Sequence, residues 1–282
     1  MTEASPKEGG RVPGPGLALL LLLTVALLFV SGGVAFQLLL GEVGLVLAQL
    51  LLLLLPVLLL IRLGRFDART TLSLRMPPAG SVTGGVLFLL GGLQVALVLA
   101  WLQSLVMPVP VEYLEALSEL LNADSLLRFL WLVLLAALVP AVAEEALFRG
   151  VVLSSLRTRL PTAAAVVLTG TVFGLFHLTP ETAFRFLPTA WLGILLSWVV
   201  VLSGSLPLAV LLHFLNNAAV LALSTIPVTA ERMNAVEDQP PPVLFGVTGA
   251  LLLMWGFRKL RRAAPGPKPV DATAFGDQGL QP

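Results

Sequence analysis

The chain has 282 residues, of which 57% are hydrophobic and only 12% charged, with a net charge of +1. Soluble domains are about 45–50% apolar and about 25% charged, so this composition excludes a soluble globular protein and predicts an all-α, polytopic membrane protein. The near-neutral balance, with no basic stripe outside short loops, excludes a nucleic-acid partner. The lack of cysteine excludes disulfides, a thiol nucleophile and thiolate metal ligands.

A membrane-crossing helix needs about 20 mostly apolar residues. Read in order, the chain predicts eight such segments, at 17–40, 43–63, 82–107, 125–156, 162–178, 183–203, 206–226 and 242–257. The polar, Gly- and Pro-rich start, 1–16, and the tail, 263–282, are expected to be disordered. The first apolar run exceeds the ~7–15-residue core of a signal peptide and reads as a spanning helix. The fourth segment is too long for one crossing, so its C-terminal part should project beyond the bilayer. The stretch 113–121 sets glutamates between apolar residues at helical spacing, which predicts a short helix lying on the outer interface. The chain thus divides into an N-terminal group of helices with that interfacial helix (17–124), a core that carries the polar motifs (125–226), and an outer loop with the last helix (227–262).

The Lys/Arg bias sets the expected orientation. Arg62, Arg65, Arg69 and Arg75 lie between segments two and three, Arg149, Arg157 and Arg159 near the join of four and five, and Arg258, Lys259, Arg261 and Arg262 after segment eight. Eight crossings with both termini cytoplasmic put all three groups inside. The alternate loops carry Glu112, Glu115, Glu119 and Asp124, then Glu231, Glu237 and Asp238. Arg128 and Arg185 break the pattern near outer helix ends, where long side chains can snorkel.

Polar side chains inside these apolar runs are the informative residues, because ionisable groups at membrane depth are costly and mark functional sites. They are Glu144 and Glu145, His177, and His213 with Asn217; the two histidines are the chain's whole complement. Glu145 and Arg149 are i,i+4 neighbours placed for an ion pair, while Glu144 is turned about 100° away and can face a cavity. Phe173 shares a helix face with His177, and His213 shares one with Asn217. Taken singly, His177 reads as a core histidine bonded to a carbonyl, Arg149 as part of a solvated charge cluster at a helix end, and Asn217 as interhelical glue. Taken together they read differently. The hairpin tip at 159–161 puts Glu144 and His177 at nearly the same depth, and the turn at 204–207 brings His213 to that level if the hairpin protrudes by about two turns. Thr179-Pro180 predicts a break soon after His177.

The set Glu-Glu-x-x-x-Arg (Glu144, Glu145, Arg149), Phe-x-x-x-His (Phe173, His177) and His-x-x-x-Asn (His213, Asn217), in this order on successive apolar helices, resembles the CPBP family. These are the type II CAAX prenyl endopeptidases and their bacterial relatives, also called Abi proteins. The resemblance covers about a third of the chain, residues 131–223. It implies an eight-helix intramembrane endopeptidase with a cavity open to the cytosol. It assigns Glu144 to activating the catalytic water with His177 beside it, His213 and Asn217 to stabilising the oxyanion, and Glu145 and Arg149 to structural support. The partners implied are the bilayer and a peptide or protein substrate, lipid-modified tails included, and the location implied is a bacterial cytoplasmic membrane. The chemistry agrees: a buried carboxylate can serve as general base, and the imidazole and amide can donate to a tetrahedral oxygen. No cofactor is expected. The mechanistic alternative is zinc held by Glu144, His177 and His213, although His-Glu-x-x-His is absent. Two further alternatives are a non-catalytic scaffold and a transporter with a proton relay, the latter predicting inverted repeats that the sequence lacks.

Overall fold

The structure, a computed structural model, describes residues 11–224 and 241–264. These are 81% helical and contain no strand. The helices are α1 (Pro15–Leu63), α2 (Ala68–Thr71), α3 (Ser81–Ser104), α4 (Val111–Leu120), α5 (Leu126–Leu156), α6 (Thr162–Phe176), α7 (Phe186–Ser203), α8 (Leu206–Ser224) and α9 (Val243–Ala263). Six of them (α1, α3, α5, α8, α9, and α7 with the 3-10 turn Ala183–Arg185 before it) are long and apolar enough to cross a membrane. Leucines and valines stand bare on the outer faces, including Val30, Leu38, Leu39 and Leu127, each more than 75% exposed. Only a lipid surround makes such a surface stable, so the chain is a multi-pass membrane protein.

Six differs from the eight expected segments for two physical reasons. First, α1 is one apolar run of 49 residues. At about 1.5 Å per residue it would span roughly 74 Å, far more than the ~30 Å hydrocarbon core. Gly41 breaks it with φ 58° and ψ −133°, a conformation that a side chain would strain. The arms 15–40 and 42–63 then return on each other: Gly32 meets Leu52, and Gly44 lies against the carbonyl of Phe36. Second, α6 has only 15 residues, roughly 22 Å. It ends where Thr179-Pro180 predicted a break: His177 caps it, and the Thr182 hydroxyl donates to the His177 carbonyl at 2.7 Å.

Helix α4 forms at the place expected for the interfacial helix. Within the ends expected to be disordered, Pro15, Gly16 and Ala263 are helical, since helix begins at Pro15 and α9 runs to Ala263. Arg258, Lys259, Arg261 and Arg262 therefore sit on a helix rather than in a loop. Residues 1–10 and 265–282, and the loop with Glu231, Glu237 and Asp238, lie outside the described residues.

Small residues set the packing. Between α3 and α9, a Cβ on Gly91 would come within 2.5 Å of the Leu253 nitrogen, and one on Gly256 within 2.4 Å of the Phe88 nitrogen. Between α6 and α7, a Cβ on Gly193 would meet the Gly170 Cα at 2.8 Å. In lipid there is little hydrophobic drive between helices, so such close backbone contacts supply the dispersion that holds them. Arg128 does not snorkel. Its guanidinium holds Glu42 through both carboxylate oxygens at 2.5 and 2.7 Å, and the Trp131 indole N–H donates to the same carboxylate at 2.7 Å. This ties the Gly41 turn to the start of α5. Arg185 likewise reaches a protein partner, donating to the Tyr113 hydroxyl at 3.1 Å.

Candidate active site

Helix α5, at 31 residues, carries the acidic pair. Its regular winding is interrupted by two π segments, Leu134–Leu138 and Ala146–Val152. Pro140 lacks the N–H that an α-helix would return to the Ala136 carbonyl four residues back. The second π segment begins directly after Glu145. Each inserted residue rotates the C-terminal remainder of the helix, and here Glu144, Glu145 and Arg149 all end up buried against α6, α7 and α8.

Glu145 is the structural centre. Its Oε1 accepts from Arg149 Nη1 at 2.6 Å and from His213 Nδ1 at 2.9 Å. Arg149 is fully enclosed, at 1% exposure, so the reading of a solvated charge cluster does not hold. Its Nη2 donates to the Gly193 carbonyl at 3.1 Å, and its guanidinium lies 4.4 Å over the Phe173 ring. An enclosed guanidinium needs such partners, since desolvating a charge costs several kcal/mol, about what one good charged contact returns.

Glu144 faces the two histidines. Its Oε2 is 3.6 Å from His177 Nε2 and 4.0 Å from His213 Nε2. Both imidazoles are held by their other nitrogen. His177 Nδ1 donates to the Phe173 carbonyl at 2.8 Å, which leaves Nε2 as the lone-pair atom of the neutral ring, facing Glu144. The carboxylate of Glu145 fixes His213 in the same way. Phe173 supports the group: its ring centroid is 4.6 Å from that of His177 and 6.0 Å from that of His213, and Phe148 packs edge-on at 5.0 Å. His177 is the part-open wall of the site, its side chain 27% exposed, whereas His213 and Glu144 are buried.

Asn217 lies one turn from His213. Its Nδ2 donates to the Ala136 carbonyl at 3.4 Å and its Oδ1 accepts from Asn216 at 2.9 Å, which leaves one amide hydrogen uncommitted to these two contacts. The structure thus gathers Glu144, Glu145, Arg149, Phe173, His177 and His213 into one contiguous cluster, with Asn217 at its edge against α5. Three supports escape a reading of sequence: the Gly193 carbonyl, the Phe148 ring and the Ala136 carbonyl. Gly193 leaves a faint trace as a small residue opposite Gly170, and Ala136 as the residue four before a proline. Among the described residues no group of three His, Cys, Asp or Glu side chains is gathered as a metal site.

The family model of Rce1-like, type II CAAX prenyl endopeptidases matches residues 126–219, the span from the start of α5 into α8 that supplies every residue of the cluster. No curated protein and no solved structure matches the chain. The match covers a third of the chain, and together with the apolar helices it supports a CAAX-protease-like membrane enzyme.

Proposed function

We propose that the protein hydrolyses peptide bonds of membrane-associated peptides or proteins with a water molecule activated by Glu144 and His177. The observation that carries this reading is the facing of Glu144 Oε2 and His177 Nε2 at 3.6 Å. An ionised carboxylate and a lone-pair nitrogen are both acceptors, and at this distance they do not bond each other. The proposed reaction sets a water between them, and a water that donates one hydrogen to each turns its oxygen lone pairs outward. In the reaction, that oxygen bonds the scissile carbonyl carbon while its proton passes to Glu144. The carbonyl oxygen becomes an oxyanion, which the Asn217 amide and His213 Nε2 stabilise. Serving the oxyanion requires a proton on His213 Nε2 in addition to the Nδ1 proton given to Glu145. As the C–N bond breaks, the proton held by Glu144 goes to the leaving amine. Glu145 and Arg149 position His213 and touch no reacting atom.

The family's name points to prenylated C-terminal tails as one substrate class; small membrane peptides of a bacterial host are the other. Both termini are assigned to the cytoplasm from the arginine and lysine pattern. The mechanistic alternative sets zinc between Glu144, His177 and His213. Two His and one Glu are donor types that zinc takes, and the partners at both Nδ1 atoms are of the kind that orient metal-bound histidines, although the three side chains are not gathered as a metal site. Zinc would act there as a Lewis acid on the water.

The test compares peptide termini in native membranes carrying the wild type or Glu144→Ala at equal expression. New termini that vanish in the variant support hydrolysis and reveal the substrate. Identical termini refute it and favour a scaffold or transporter. Repeating the cleavage with purified protein and a chelator then separates the two mechanisms: metal-free hydrolysis keeps its rate, and the zinc reading requires that it fall and return with added zinc.

A further inference from the structure

A groove of about 330 Å3 opens between α3, α7 and α9, on the face of α7 turned away from the catalytic cluster. Phe88, Trp191, Ile194, Trp198 and Phe257 form its apolar wall, and Arg258 stands at its rim. On α7 the groove residues 191, 194 and 198 lie on one helix face, whereas Gly193, with the carbonyl that receives Arg149, lies on another. The groove is within the size of small-ligand sites, ~300–1,000 Å3.

Two groups at this groove have unmet bonding capacity. Arg258 is exposed and has no acidic partner among the described residues, and it opens the basic turn that continues with Lys259, Arg261 and Arg262. The Trp198 indole N–H makes no hydrogen bond among the described residues, although its ring packs edge-on to Phe257 at 5.9 Å. Trp191, by contrast, already donates to the Gly92 carbonyl at 2.9 Å. An aromatic-walled channel with a free guanidinium at its basic end complements an amphiphile that has an apolar chain and an anionic head. Basic pockets between membrane helices bind lipid head groups in this way.

We propose that the groove is a binding site for one anionic glycerophospholipid, with an acyl chain between Trp191, Trp198 and Phe257 and its phosphate on Arg258. The lipid would then wedge α9 against α3 and α7. The groove lies on the face of α7 opposite Gly193, the residue whose carbonyl receives Arg149, so binding there does not require the Glu144 cluster.

The test uses the full-length protein in phosphatidylcholine nanodiscs that contain a photoactivatable phosphatidylglycerol, or the phosphatidylcholine analogue, with the reactive group in one acyl chain. The expected result is adducts mapped to 191–198 and 253–258, in about fivefold excess for the anionic lipid, as about 1 kcal/mol per basic residue near a membrane surface gives. Arg258→Gln should lower that excess to the phosphatidylcholine level, while Arg261→Gln retains it. Met254→Trp, which adds bulk from the α9 wall of the groove, should remove adducts of both probes without changing hydrolysis. Equal labelling by both head groups overturns the proposal. So does an equal loss in Arg258→Gln and Arg261→Gln, which would mean diffuse surface attraction. Displacement of the adducts by a farnesylated peptide would reassign the groove to a substrate chain.

Discussion

Replacing Glu145 by Gln keeps the side chain's shape and removes its charge. Arg149, at 1% exposure, loses the counter-ion at 2.6 Å, and His213 Nδ1 loses its carboxylate acceptor at 2.9 Å. Removing one partner of a buried ion pair costs about 3–5 kcal/mol, because the other charge is left buried and uncompensated. The Gln carbonyl can still accept from one of the two donors, so the lower end, about 3 kcal/mol, is expected. Against a typical total of about 5–15 kcal/mol that is a large fraction. The double change Glu145→Leu with Arg149→Met removes both charges, and buried pairs exchanged for apolar side chains of similar volume are often neutral, so stability should return to within about 1–2 kcal/mol of wild type. Hydrolysis should not return. Without Glu145, His213 has no partner to orient Nε2, and loss of such an orienting contact costs about 10–100-fold. Thermal unfolding in detergent, followed by intrinsic tryptophan fluorescence, reads the first quantity, and cleavage of a peptide found by the comparison of termini reads the second. Native stability in Glu145→Gln, or full hydrolysis in the double variant, would refute the reasoning.

Three other substitutions separate the roles. Asn217→Ala should lower kcat by about 10²–10³-fold with little change in KM, as loss of an oxyanion donor does; an unchanged kcat would leave Asn217 only its contact with the Ala136 carbonyl. Gly193→Ala pushes a methyl against the Gly170 Cα, so melting should drop by an amount typical of overpacking, about 1–3 kcal/mol, with cleavage falling too as the Gly193 carbonyl leaves Arg149. Arg128→Ala removes a part-exposed pair with Glu42, so little change in melting and unchanged hydrolysis are expected in the same two assays.

Much of the site was legible because its pairs are local. Glu145 with Arg149 and Phe173 with His177 are four residues apart, about one helical turn, which keeps such residues near one face even across the π segment after Glu145. The near-equal spacing of Glu144 and His177 from the hairpin tip foretold that they would meet. The contacts that were not legible run between distant segments: Glu145 to His213, Arg149 to the Gly193 carbonyl, and Arg128 to Glu42. Arg128 illustrates the difficulty. A lone arginine near a helix end reads as snorkelling, and its carboxylate partner sits 86 residues away beside a glycine turn that hydropathy alone does not mark as a turn.

Composition settled the membrane class, and apolar runs of about 20 residues settled helices, since lipid leaves backbone groups only helices or a closed barrel and barrel strands are about half as long. The order and spacing of the polar residues settled which side chains could meet. Tertiary packing decided which atoms do meet. Glycines at 170 and 193 let α6 and α7 approach until the Gly193 carbonyl reaches Arg149, and the π segments of α5 set the angle at which Glu144 and Glu145 face different histidine nitrogens. These outcomes depend on side-chain volume at helix crossings and on one inserted residue per turn, shifts of an ångström or two that determine hydrogen bonding but leave no periodic signature along the chain.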